Sequence, residues 1–554
     1  MLTNNKNIKL PRKDRPWLLF LTAVLWICGS TFFHDPWEPY EPFVVAIVKS
    51  IITSNNWLIP YIAPNFPYLD LQPFYFWLFA IPIKLLHFTN IANAVRLINA
   101  VIIFATIYMI SRVGSSLSAY KNGRTTVMIL ISMIGFINEA YQISPNLIVL
   151  LGFVLYLFAL QRMKVNPGGS LGIMAVALFF ISINFTAQNL YIALFILLIL
   201  PLVSSHWRCR DYALVSLGGT SIFALFFAFY AWQLYSVDIL FFHVWTIQYM
   251  HFVNLGQNVL SRYLDLLILL SWYLVPGGIL AIWTLYRRKK QLFNDPILSV
   301  SLLLAILILA VSGISKGFIG TAVFPILIPV VLLASVEVDS IKIHFVSLFN
   351  WFSIFVFGFA GIAVASLYFS LNFHLPERLY DVAKDIAPDY AFNFNIWQVL
   401  LAIIILAIWL FMVTRKHIRG REVISNWASG MTFVLIMFMS LCIPWFNSVL
   451  SFRSLVGDSM NYINKTENIC IASTNSNKIQ DAIWYYYAGI RLRPETNLNN
   501  TQCKQAIITT NINDDSLSKY TGWHVVWSGK RSIDLKKYYL IERDDSSLPN
   551  FYTN

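Results

Sequence analysis

The sequence predicts an all-α polytopic membrane protein of about 13 transmembrane helices, with a small C-terminal α/β domain outside the cytoplasm. Three observations carry this reading. Of 554 residues, 57% are hydrophobic and only 12% charged, at a mean hydropathy of +0.62, whereas soluble domains carry about 25% charged residues. Basic residues gather in short gaps between apolar runs, as cytoplasmic loops require. From residue 451 the composition turns to Asn, Thr, Lys and Asp. Disorder and collagen-like repetition are excluded by 16% aromatics with only 24 Gly and 22 Pro.

Five basic residues, Lys6, Lys9, Arg12, Lys13 and Arg15, precede an apolar run from Trp17 to Phe33 with no small-residue cleavage site after it. This reads as an uncleaved signal anchor with the N-terminus in the cytoplasm. Later basic gaps at Arg112 to Arg124, Arg162 with Lys164, His206 to Arg210, Arg287 to Lys290 and Arg415 to Arg421 should also lie inside. The intervening gaps, rich in Asn, Pro, Tyr and acids, should lie outside: 34 to 90, 140 to 145, 184 to 189, 235 to 261, 313 to 317 and 371 to 395. Pro73 to Leu86 is apolar but too short to cross, and counting it as a span would put Arg112, Lys121 and Arg124 outside. It is therefore expected as an interfacial or re-entrant helix. The C-terminus then emerges outside. The division is a transmembrane domain over 1–450, with a first outer loop at 34–90, and an extracytoplasmic soluble domain over 451–554.

The excess of 40 Lys+Arg over 27 Asp+Glu, a net +13, would point to nucleic acid in a soluble chain, but here it reports topology. No P-loop, GxGxxG or repeat of 20 to 50 residues occurs, which argues against an ATP-driven transporter. Short runs at Ile507 to Thr510, Trp523 to Trp527 and Tyr538 to Ile541 read as strands of the outer domain. Cys28, Cys209 and Cys442 are expected to be inert. Cys470 and Cys503 share a compartment that permits a disulfide. No His/Cys pattern has zinc-site spacing, and the sequons at Asn184, Asn464 and Asn499 carry no weight in an Asn-rich chain.

Chemistry needs polar groups in a water-accessible place, and they are densest in the first outer loop. There His34-Asp35-Pro36-Trp37-Glu38-Pro39-Tyr40-Glu41-Pro42 sets Asp35, Glu38 and Glu41 on a proline-stiffened segment. The plainer alternative is a solvated juxtamembrane loop with belt aromatics. Lys316 and Arg262 lie at the depth of a lipid phosphate, where each is either a headgroup contact or a snorkelling residue. His243 and His251 lie eight apart in an aromatic loop, where interface residues are commoner than ligands. Glu139 ends a span on the outer side.

Read onward, the loop resembles that of the bacterial lipid-linked sugar transferases that modify lipid A with aminoarabinose, relatives of the protein O-mannosyltransferases. The residues that carry the likeness are Glu41, Asn56-Trp57, Pro60, Asp70-Leu71-Gln72-Pro73-Phe74-Tyr75-Phe76-Trp77 and Arg96-Leu97. Ser312-Gly313-Ile314-Ser315-Lys316 with Pro325 and Pro329 is similar to the family's late Phe-Ser-x-Ser-x-x-Lys segment. The departures are specific. The family's catalytic Asp falls on Tyr40, its Lys on Leu71, a later Asp on Asn146, and a Lys-Gly on Ala187-Gln188.

The resemblance implies the integral-membrane glycosyltransferase fold called GT-C, in a bacterial inner membrane. It implies transfer of a sugar from a polyprenyl-phosphate donor to lipid A or another envelope glycan on the outer face, without nucleotide. It places catalysis on Glu41, Asp35 or Asp70, and donor phosphate binding on Lys316 and Arg262. Glu38, Tyr40, Glu139, Asn146 and His243 are secondary candidates. The expected partners are the lipid-linked donor, the acceptor glycan and membrane lipids, with no nucleic acid. No cofactor is certain, and a divalent metal ion is left open. Two alternatives stand beside the transferase: a catalytically degenerate relative that binds lipid-linked sugar, and a lipid or solute carrier.

Overall fold

The computed structural model describes residues 17–31, 34–63, 66–117, 122–254, 258–289, 293, 295–388, 390–391, 394–414, 420–463, 470–474, 478–495, 497–498, 501–511 and 520–544. The basic N-terminus, Asn464, Asn499 and most of the Arg415 to Arg421 gap lie outside them. Helices follow one another from Trp17 to Ser459, and the strands of a five-stranded sheet fall between Ile471 and Arg543. The expected helical membrane protein with a small C-terminal sheet is what the chain forms.

The expected count of about 13 spans is not confirmed by length and composition. Six described helices are long and apolar enough to cross a membrane: Ile91–Ser115, Pro145–Arg162, Arg210–Val237, Ile343–Phe373, Ile396–Val413 and Gly420–Leu441. A seventh is reached if Val259–Tyr273 and Gly277–Arg288, bent by 100°, count as one. Prolines and polar breaks shorten much of the remaining apolar sequence. Pro325, for example, lies in a 3-10 turn that separates Ile319–Val323 from Leu327–Ala334.

Local signals explain where the helices around the site begin. Glu41–Ser54 starts with an acid and Pro42, both favourable in a first turn, and stops at Asn55, whose φ of 56° is the left-handed terminator. Pro145–Arg162 starts on Pro145 behind Ser144, whose hydroxyl accepts from the Asn146 N–H. Pro73–Leu85 forms within the first outer loop, with Pro82 inside it. Its Phe74, Tyr75, Phe76 and Phe79 are fully buried against Val44, Ile47 and Ile51 of Glu41–Ser54.

The helices pack around one large apolar core, and a second core joins the first outer loop to Tyr230, Trp245, Ala482 and Tyr485. In Arg210–Val237 and Ile396–Val413 most of the apolar surface faces outward, as a lipid-contacting helix requires. The sheet has strand order Arg493–Pro494, Ile471–Ser473, Gln505–Asn511, Lys536–Arg543, Trp523–Gly529; the first three strands are parallel and the last two pairings antiparallel. Cys470 and Cys503 are disulfide-bonded, with Cα atoms 5.0 Å apart.

Candidate active site

A cleft of about 480 Å³ opens where the first outer loop meets the ends of several helices. Tyr40, Phe43, Tyr68 and Asp70 line one side, Asn184 to Thr186 and Gln188 the floor, and Gln248, His251 and Ser315 to Phe318 the other side. It therefore combines one carboxylate, one ammonium and one imidazole with several aromatic rings. Such a mixture suits a sugar and a phosphate beside an apolar chain.

Short-range pairing builds the cationic wall. After the helix Ile239–Met250, residues 252–254 run beside 314–316: Asn254 N–H donates to Ile314 O at 2.9 Å and Lys316 N–H to Phe252 O at 2.6 Å. Arg262 clamps the same turn, donating to Ser315 O at 2.7 Å and Gly317 O at 3.2 Å. Gly317, at φ +86°, supplies the left-handed residue that the turn needs. Arg262 thus holds the segment that presents the exposed Lys316, and it does not line the cleft. Gln188, buried in the floor, donates to Ala322 O and accepts from the Ser315 hydroxyl.

Asp70 is held from two sides. Oδ1 accepts from Gln248 at 3.1 Å and Oδ2 from Lys478 at 2.9 Å. Lys478 begins the helix Lys478–Ala488, which packs between the sheet and the first outer loop. Lys49 fastens the other end of that helix, donating to Tyr485 O and Tyr486 O at 3.0 and 3.1 Å.

The other acids are placed elsewhere. Glu41, 1% exposed, accepts from Trp37 N–H at 3.1 Å and Ile143 N–H at 3.2 Å, and stands 3.5 Å from Arg96 and 3.6 Å from His34. Burial lowers the pKa of His34 against the raising effect of Glu41. Asp35 pairs with Arg453 at 2.8 Å and accepts from the Ser451 hydroxyl at 2.8 Å. Glu38 pairs at 3.3 Å with Arg531, which also forks onto Asp534 and stacks on Phe452 at 3.5 Å. These two acids fasten the first outer loop to the C-terminal residues, away from the cleft lining.

Glu139 is buried and accepts from Ser144 and from the Asn146 amide, the latter at 3.0 Å. Tyr40 does line the cleft. Burial first, and then the charge of Glu139, push its hydroxyl up to about 12, so it is a neutral donor at physiological pH. His243 is exposed on the helix Ile239–Met250 and is outside the lining. Sequence reasoning passed over Gln248, Tyr68 and Asn184, and set aside His251. The aromatic loop around His251 was the available signal.

Among the described residues, no group of three His, Cys, Asp or Glu is arranged to hold a metal ion. Among the described residues the cleft offers one carboxylate and one imidazole, a donor set that does not fit a divalent ion.

No family model matches the sequence, and no curated protein matches it. The structure is similar to that of ArnT from Cupriavidus metallidurans bound to undecaprenyl phosphate, with a TM-score of 0.67 at 13% identity over 95% of this chain and 97% of that one. The apo form of the same protein gives 0.68 at 14% identity over the same shares. Archaeal oligosaccharyltransferase AglB from Archaeoglobus fulgidus, solved with an inhibitory peptide and a dolichol-phosphate, gives 0.46 at 11% identity over 89% of this chain and 69% of that one. The ArnT comparison shows the fold, and it is the GT-C fold expected from the sequence.

Proposed function

We propose that the protein transfers a sugar from a polyprenyl-phosphate donor to a glycan acceptor, lipid A or another envelope glycan, on the outer face of a bacterial inner membrane. The carrying observation is the cleft itself, where Asp70, Tyr40 and Lys316 converge in a fold shared with a protein solved with undecaprenyl phosphate.

In this reading the acceptor hydroxyl attacks the anomeric carbon, and the bond from that carbon to the phosphate oxygen breaks. The hydroxyl proton passes to Asp70. The departing polyprenyl phosphate gains negative charge facing Lys316, which Arg262 keeps in place. Tyr40 donates to a sugar or phosphate oxygen. Glu41 acts behind the cleft, as the anchor of its wall.

Supporting the orientation, about 13 crossings result if Asn122–Ser132 with Ile134–Ala140, the bent pair, and Ile319–Val323 with its continuation each count as one. The basic gaps then face the cytoplasm, and the cleft and the domain over 451–554 face outward.

A second reading, a catalytically silent binder of lipid-linked sugar, is favoured by Tyr40 standing where the resembled transferases place an acid. Mass spectrometry of envelope glycans from parent, deletion and complemented strains tests both. A sugar mass lost on deletion and restored by wild type, but not by Asp70→Asn, supports transfer. Unchanged glycans while the protein is produced favour the binder.

A further inference from the structure

At the other end of the helices that carry the cleft lies a second pocket of about 480 Å³. The helix Gln188–Val203, whose first residue lines the cleft, has 16 residues and spans roughly 24 Å. Beyond its last turn three separate basic segments meet. Lys164, His206 and Arg288 all line this pocket, together with Gln161, Trp207 and Asp295.

The charges there are unequal in their commitments. Arg288 is paired with Glu337, and Asp295 caps its own helix through Oδ1, which accepts from Ile297 and Leu298 N–H, while its charge also reaches His206 and acts to raise its pKa. Lys164 and His206 have no ion-pair partner among the described residues; their nitrogens instead face each other at 3.5 Å. Two basic groups so close repel when both are charged, and burial together with Lys164 lowers the His206 pKa. The wall adds an unpartnered donor, the buried Trp207 indole N–H, and an unpartnered acceptor, Gln161 Oε1. An anion between the two cations would relieve the repulsion and let the imidazole become a second charged donor.

We infer that this pocket, distinct from the catalytic cleft, binds a phosphate group through Lys164 and His206. Two sources share that chemistry: the phosphodiester of an anionic inner-leaflet lipid, and free inorganic phosphate.

The test uses the full chain, wild type and with Lys164→Ala and His206→Gln. Both side chains lie outside the apolar core, and unchanged melting temperatures check folding. Native mass spectrometry after release from phosphatidylcholine nanodiscs doped with phosphatidylglycerol reads lipid retention, and calorimetric titration in detergent reads inorganic phosphate binding. Retained phosphatidylglycerol that falls about tenfold or more in either variant supports the site with a lipid source. Phosphate binding that falls equally supports it with a free anion. Absence of both, retention of phosphatidylcholine to the same extent, or binding unchanged in both variants overturns the inference.

Discussion

Lys478 donates to Oδ2 of Asp70 at 2.9 Å, so a residue of the C-terminal segment sets the position of the one carboxylate among the described residues that lines the cleft. Both side chains are part-exposed, and such a pair contributes within about 1 kcal/mol to stability. If Asp70 needs this placement, Lys478→Ala should lower kcat between about 10- and 100-fold while leaving the melting temperature nearly unchanged. Kinetics and thermal unfolding on one preparation check this, and an unaffected kcat would refute it.

Asp70 and Glu41 should fail in different ways. Asp70→Asn keeps the shape and should cost about 100- to 10,000-fold in transfer rate, with normal folding. Glu41→Ala leaves Arg96 buried without its counter-charge and two backbone N–H groups without their acceptor, so about 3–5 kcal/mol of stability should go. Loss of folded protein, measured by detergent-solubilised yield and unfolding, is the expected outcome for Glu41. A well-folded, inactive Glu41→Ala protein would return catalysis to that residue.

Lys316 is exposed in the cleft and has no acidic partner among the described residues. Removing one charge-assisted contact to a phosphate costs about 1.5–3 kcal/mol, or roughly 10- to 150-fold. Lys316→Ala should therefore weaken binding of polyprenyl phosphate by that factor, as read by competition against a fluorescent lipid phosphate. Arg262→Ala should act in the same direction by loosening the turn at Ser315 to Gly317.

Asp481 makes stability depend on pH. It is 1% exposed, neither oxygen has a hydrogen-bond partner, and burial pushes its pKa up to about 7. Because the folded pKa exceeds the unfolded one, the folded form holds a proton between about pH 4 and 7 that the unfolded form has released. Its contribution is complete below pH 4 and is lost as pH rises through 7, up to about 4 kcal/mol in all. Asp481→Asn should flatten this slope and raise the melting temperature at pH 8. Parallel slopes for both proteins would contradict the assignment.

The disulfide closes a loop of 33 residues, for which chain entropy predicts about 3–4 kcal/mol. Cys503→Ser should lower the stability of the C-terminal segment by that order under oxidising conditions and change nothing under reducing ones. Limited proteolysis with and without reductant reads the difference.

Much of the site was legible in local sequence. The aromatic run after Asp70 marked a helix that does form, packed behind the lining, and the Ser315-Lys316 motif marked a segment that lines the cleft. Such signals are short-range, because they rest on the chemistry of neighbouring residues and on turn geometry. The choice among acids was not legible in the same way. Asp35, Glu38 and Glu41 stand three apart on one proline-rich segment, yet they meet Arg453, Arg531 and Arg96, which lie far apart in the chain. No spacing rule announces a partner more than four hundred residues away.

Local sequence carried the membrane class, the helical body, the C-terminal sheet and the resemblance on which the fold expectation rested, because hydropathy, charge and turn residues act locally and additively. Tertiary structure alone decided which carboxylate faces the cleft, that Arg262 holds a turn outside the lining, and how the C-terminal segment reaches the site through Lys478. Those outcomes depend on pairing buried or half-buried charges across the fold, and a charge pairs with whatever counter-charge folding brings within about 4 Å of it.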